Sequence, residues 1–140
     1  MKHPLSSSAH KSASMARQRR RGTAAEQAVG RALRALGAAY RKNVRGLPGA
    51  PDFANRARKW AVFVNGCFWH AHTGCPRATT PKANRAFWLE KFARNRARDA
   101  QAVRALRRAG FRVAIVWECQ AQSARAQLSD LLEPRRPNPS

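Results

Sequence analysis

All three cysteines of this 140-residue chain carry spacing information: Cys67-x4-His72-x2-Cys75 falls within one short segment, and Cys119 ends an apolar run far downstream. Thiolate and imidazole are ligands that tetrahedral Zn2+ prefers, and three of them on one loop require a fourth from elsewhere. Cys119 can supply it if the apolar runs ahead of Cys67 and Cys119 are neighbouring parallel strands, because residues just past the ends of such strands lie close together. A closed Cys3His site leaves no position for water and is structural rather than catalytic. His70 offers the alternative spacing Cys-x2-His, so the pattern leaves open which histidine binds. The competing reading is that the cysteines are small buried apolar groups.

The rest of the chain supplies those strands. Thr23 and Glu26 have capping-box spacing, and Ala25, Val29, Leu33 and Leu36 follow at helical intervals until Gly37, which predicts a first helix of about three to four turns. Tyr40 to Val44 reads as a short strand, and Gly46 to Pro51 as a turn-rich loop leading into Asp52-Phe53. Asn55 to Lys59 reads as a polar hairpin connection, and Trp60 to Val64 as a buried central strand. Gly66 to Pro81 is irregular. A long helix is expected from Asn84 to about Arg108, with Phe87, Trp88, Phe92, Val103 and Leu106 inward; Gly110 closes it. Phe111 to Trp117 is a second good strand, and Ala121, Ala124, Leu128 and Leu131 mark a last short helix. The apolar content of 44% fits a single core. The division is a flexible basic arm at 1–22, one domain at 23–132 and a disordered tail at 133–140, with a mixed α/β architecture.

The 28 basic residues against 7 acidic give a formal net charge of +21, which points to a polyanionic partner, nucleic acid rather than membrane. No apolar run reaches the roughly 18 residues of a membrane span, and the N-terminal stretch lacks the apolar region of a signal peptide. A soluble cytoplasmic protein is expected. In so basic a chain Asp52 stands out as the only acidic residue between Glu26 and Glu90. An isolated carboxylate at a strand entry suits a hard cation of the kind nucleases use to polarise a phosphate. It also suits a simple turn cap. Pro51-Asp52 followed by a strand reaching Val64-Asn65-Gly66 is similar to the PD-(D/E)xK nuclease core, although the second carboxylate is missing.

Asn65-Gly66-Cys67-Phe68-Trp69-His70, then Thr79-Thr80-Pro81, Phe87-Trp88-Leu89-Glu90-Lys91, Asn95, Asp99 and Val116-Trp117-Glu118-Cys119, together resemble the very-short-patch repair (Vsr) endonucleases from about Arg19 to Gln120. The resemblance implies a restriction-endonuclease-like three-layer α/β/α fold with a central mixed sheet and a structural zinc. It implies an Mg2+-dependent DNA endonuclease that nicks one strand 5′ of the thymine in a T·G mismatch left by deamination of 5-methylcytosine. Asp52 is then the Mg2+ ligand, His70 the general base or water-orienting residue, and Glu26 an acid that reaches the metal through water. Cys67, His72, Cys75 and Cys119 are the zinc ligands. Phe68, Trp69 and Trp88 match rings that wedge into the base stack beside the mismatch, and Arg85, Arg94, Arg96 and Arg98 are phosphate contacts. The expected partner is mismatched double-stranded DNA, bound by a monomer associated with the bacterial nucleoid and followed by downstream repair proteins.

The chain departs from the pattern in three places. Asn65 stands where relatives carry His or Asp, and an amide has no charge and does not readily transfer a proton. Val64 replaces a Thr, and the His72 to Cys75 spacing is one residue longer than in some members. Two other readings follow: a zinc-stapled DNA-binding module weakened in catalysis at Asn65, and a restriction-type enzyme that cuts both strands.

Overall fold

The computed structural model describes residues 23–70, 72–76 and 78–133; the expected basic arm at 1–22 and the tail from Pro134 lie outside them. Helix α1 spans Ala24–Ala35, and Thr23 caps it as the spacing predicts, its Oγ1 accepting the Glu26 N–H at 3.1 Å. It ends where Gly37 takes a φ of +74°, which returns the Gly37 and Ala38 N–H groups to the carbonyls of Arg34 and Leu33.

Strands β1 (Arg41–Lys42), β2 (Phe53–Asn55) and β3 (Trp60–Asn65) follow, then helix α2 (Arg85–Arg108), strand β4 (Arg112–Trp117), a 3-10 turn (Glu118–Ser123) and helix α3 (Arg125–Leu132). The sheet order is β1-β2-β3-β4, antiparallel up to β3 and parallel between β3 and β4. β1 is shorter than the sequence predicts because Asn43 adopts a φ of +52°, outside the extended region. Its N–H still bonds the Asp52 carbonyl at 2.9 Å, and that of Val44 bonds Pro51 at 3.0 Å, so the ladder kinks without letting go. The last helix is likewise preceded by a 3-10 turn that begins at Glu118.

The period-2 alternation of the sheet sorts its residues into two layers. Trp60 and Val62, with Ala114 and Val116, pack against Val29 and Leu33 of α1 and Leu128 and Leu131 of α3. Ala61 joins Leu106 of α2 on the other face, with Phe63, Phe111 and Val113 beside them. Helices thus cover both faces of a mixed sheet, which is the expected α/β/α arrangement.

One glycine fixes where the loop before β2 can lie. Gly49 has a φ of +74°, and a Cβ there would stand 2.6 Å from the Ala102 Cβ and 3.0 Å from the Phe63 ring. Only glycine meets both demands, so the loop seats in the angle between α2 and β3 and delivers Asp52 to the end of β3.

Candidate active site and metal centre

The parallel register pairs Trp60 with Arg112 and Asn65 with Trp117, so β3 and β4 finish level with each other. Cys67 and Cys119 each lie two residues beyond, and the loop after Cys67 turns back to bring His72 and Cys75 to them. The ligand atoms of Cys67, His72, Cys75 and Cys119 all lie within 4.8 Å of one another. His72 is set by its ring, stacked on Trp117 at 4.1 Å between centroids and 7° between planes, with Nδ1 3.5 Å from the Cys119 Sγ. Burial pushes the Cys67 thiol up to about 12, with the neighbouring Cys119 and Cys75 thiols adding to the rise. Such a thiol stays protonated unless a cation displaces the proton. Three sulfurs and one imidazole nitrogen at this separation, with no carboxylate among them, fit a soft tetrahedral ion, and the donor set is closed.

His70 takes no part in that cluster. Its Nδ1 pairs with the Asp99 carboxylate from the middle of α2. The backbone just before it is held by Asn95, whose side-chain N–H donates to the Trp69 carbonyl at 2.9 Å, and Arg98 in turn donates to the Asn95 side-chain oxygen at 2.7 Å. The His70 N–H returns to the Gly66 carbonyl. The ring therefore has its direction set from two sides, in a cleft of 320 Å3 bounded by Gly49, Phe63 and Asp99 among others.

Asp52 enters from the antiparallel neighbour of β3. The Val64 N–H donates to its Oδ2 at 2.7 Å. Burial pushes its carboxyl up to about 6; the Val64 N–H pulls it back, the Glu26 carboxylate raises it further, and His70 lowers it. Glu26 is 3% exposed and Asn65 6%, both very dry for polar side chains. A second carboxylate near enough to raise that of Asp52, in a basic protein, makes with it a fitting pair for a hard cation.

The rings expected to meet DNA form one cluster. Phe68 contacts Trp69, Trp88 and Phe92 edge-to-face, with centroids at 5.1, 5.4 and 5.3 Å. Trp88 is wholly buried and Trp69 is 7% exposed, whereas Phe68 is half-buried. The Lys91 ammonium sits 5.3 Å from the Trp69 centroid and 5.8 Å from that of Trp88. Arg85 opens α2 on an exposed turn, and exposed Arg94 leans on Glu90 at 3.3 Å.

The structure thus gathers Asp52, Glu26, Asn65 and His70 at the carboxyl end of β3, the four metal-ligand candidates beside them, and Phe68, Trp69 and Trp88 in a neighbouring cluster. Arg85 and Arg94 stay on the outer face of α2. Sequence reasoning counted Asn95 and Asp99 only among the residues that carry the resemblance and expected Arg98 to contact phosphate, and gave none of them a part in holding His70. What assigns them that part is the docking of this helix face against the His70 loop. Among the described residues, no helix is long and apolar enough to cross a membrane.

Comparison with known proteins agrees with this geometry. A family model described as DNA mismatch endonuclease Vsr matches residues 5–76. The type II nicking enzyme V.XorIIP of Xanthomonas oryzae pv. oryzae is 38% identical over 123 residues, covering 86% of this chain and 90% of that protein. The DNA mismatch endonuclease Vsr of Escherichia coli is 40% identical over 110 residues, covering 79% and 69%, and the type II nicking enzyme V.NaeI of Lentzea aerocolonigenes is 39% identical over 137 residues, covering 93% and 81%. A cluster of buried carboxylates beside an aimed histidine, on a sheet shared with a Cys/His centre, therefore sits in a chain that belongs to the Vsr family of DNA endonucleases, within the restriction-endonuclease-like superfamily.

Proposed function

We propose that this endonuclease nicks one strand of a DNA duplex 5′ of the thymine in a T·G mismatch, by Mg2+-dependent hydrolysis, in very short patch repair of deaminated 5-methylcytosine. The observation that carries the reading is the meeting of Asp52, Glu26 and the His70–Asp99 pair at one end of β3 in a chain of this family. Asp52 and Glu26 are the residues that would hold Mg2+, Glu26 through water. When bound, the cation lowers the charge on the scissile phosphate and on the leaving oxygen.

The remaining work falls to the protein's own groups. The Asp99 carboxylate accepts the Nδ1 proton of His70, which leaves Nε2 as the acceptor of a proton from the attacking water. The water oxygen bonds to phosphorus as the bond to one deoxyribose oxygen breaks; that oxygen takes a proton from a solvent water and leaves as a hydroxyl, and His70 returns its proton to solvent. Asn65 can donate a hydrogen bond to a phosphate oxygen but takes no proton. Phe68 is the accessible ring of the wedge, with Trp69 and Trp88 behind it as the wall that keeps it extended toward the base stack. Arg85 and Arg94 serve as phosphate contacts on the exposed face of α2. Zn2+ is the proposed occupant of the Cys67, His72, Cys75 and Cys119 centre, in a structural role. One active centre per strand cut makes a monomer sufficient, and a chromosomal substrate places the protein in the bacterial cytoplasm.

The test is a strand-specific nicking assay on T·G duplexes with Mg2+ or EDTA. We expect a nick beside the thymine that EDTA removes and that Asp52→Ala lowers by at least about a thousandfold, the scale of a lost metal ligand. Asp99→Asn should lower kcat by about a hundredfold or more with KM little changed, since it disturbs how His70 is held rather than how DNA binds. Full activity in Asp52→Ala would overturn the reading. The buried, uncharged Asn65 favours a second reading, a DNA-binding module with weakened catalysis, for which mismatch binding without a nick at any Mg2+ concentration is the expected result. Cutting of both strands would point instead to a restriction-type activity.

A further inference from the structure

A groove leads away from His70 along the side of the sheet, and its lining differs from that of a site for duplex phosphates alone. Its near part, a cavity of 560 Å3, includes His70, Asn65 and Asp99 at one end and Arg104 and Arg107 at the other. Arg107 also lines the next cavity, of 760 Å3, whose other cations are Arg58, Lys59 and Arg112. The two therefore form one path. The parallel register from Asn65 and Trp117 back to Trp60 and Arg112 makes it about 17 Å long at ~3.3 Å per residue.

Two periodicities build it. On β4, Val113, Ile115 and Trp117 alternate onto one face and are half-buried, whereas Ala114 and Val116 between them are sealed into the core. On α2, Ala100, Val103, Arg104 and Arg107 share a helical face above that row. The result is an apolar floor, from Phe111 to Trp117, under a rail of guanidinium groups. Asp99 is the one carboxylate in either lining, and it is engaged with His70.

Cations over an apolar floor match a nucleic-acid strand whose bases are unpaired. A duplex turns phosphates outward and hides base faces, so it gains nothing from such a floor; a single strand offers both backbone charge and base surface. The chain's own ends do not suit it, since the N-terminal segment carries Arg17, Arg19, Arg20 and Arg21 and the C-terminal one Arg135 and Arg136. We infer that this groove binds a short single-stranded segment of DNA, about four nucleotides, that leads away from the cleavage centre at His70 once the strand has been nicked. The inference rests on the reading of that end of β3 as the cleavage centre.

The test separates the two. Binding of the full chain is measured by fluorescence anisotropy on synthetic duplexes already nicked beside the mismatch thymine, with the nicked strand continued as an unpaired tail of five thymidines, five abasic sites or five base pairs, or with no tail. Nicking of an intact mismatched duplex is measured in parallel. The thymidine tail should tighten binding about tenfold or more over no tail, and the abasic and duplex tails by much less. Arg104→Gln with Arg107→Gln, both exposed, should abolish that gain and reduce the salt slope on the tailed substrate by about 1.4, two single-strand phosphate contacts, while nicking of the intact duplex is unchanged. Equal binding with and without the thymidine tail would overturn the inference, as would an equal gain from abasic or duplex tails, or a gain that survives in the double variant. Loss of nicking in the wild type would instead overturn the cleavage-centre reading, because the tailed substrates bind without being cut.

Discussion

Asp52 is held at a cost that its function requires. A carboxyl pushed from 3.8 to about 6 by burial binds its proton more tightly in the folded chain than in the unfolded one. The metal-free protein therefore loses stability as pH rises from about 4 to about 6, and the loss is complete above that window. Asp52→Asn retains an acceptor for the Val64 N–H but has no proton to lose. In EDTA at pH 7.5 it should melt several degrees above the wild type, the equivalent of about 2–3 kcal/mol, and at pH 4 the gap should nearly close. Mg2+ should narrow the gap at pH 7.5 by stabilising only the wild type. A variant no more stable than the wild type at pH 7.5 would show that Asp52 carries no such strain. The same residue marks how far the sequence could be read: its isolation among basic residues singled it out, but its setting beside Glu26 and His70 depends on three segments meeting at one strand end.

Strands β3 and β4 and the loop that bridges them show why some elements were legible and others were not. Their apolar runs and the helix cap at Thr23 are local patterns, and the structure places each where its pattern put it; the Cys and His spacing left two histidines open, and it is His72 that lies with the three cysteines. The kink at Asn43 and the choice of Asp99 as partner for His70 are set by packing between elements, which no local pattern records. Trp88 illustrates the same limit: its helical stripe fitted both a core position and a DNA wedge, and in this structure it is wholly buried. On the zinc reading, an ion held by Cys67, His72, Cys75 and Cys119 would tie the ends of β3 and β4 together, so Cys119→Ser or prolonged treatment with a strong chelator should lower the melting temperature by about 10 °C or more, with loss of the proposed zinc. Unchanged melting and an unchanged zinc content in Cys119→Ser would remove that residue from the centre.

Across the whole molecule, a net charge of +21 exceeds what one strand-end site needs, and the exposed face of α2 carries part of it. Affinity for duplex should accordingly fall with salt at a log–log slope of about −6 to −9, the mark of roughly seven to ten phosphate contacts, and a slope near −2 would confine contact to the wedge and the cleavage centre. The groove itself was invisible in the sequence, where Val113, Ile115 and Trp117 fall in an ordinary strand and Arg104 and Arg107 drew no reading of their own; only the crossing of α2 over β4 joins them. His70 is strung on the loop between two of the candidate metal ligands, Cys67 and His72. On the zinc reading, an ion at that centre would pin both flanks of the loop, while Asp99 and Asn95 set the ring within it. The staple of the fold and its cleavage centre would then share one stretch of backbone.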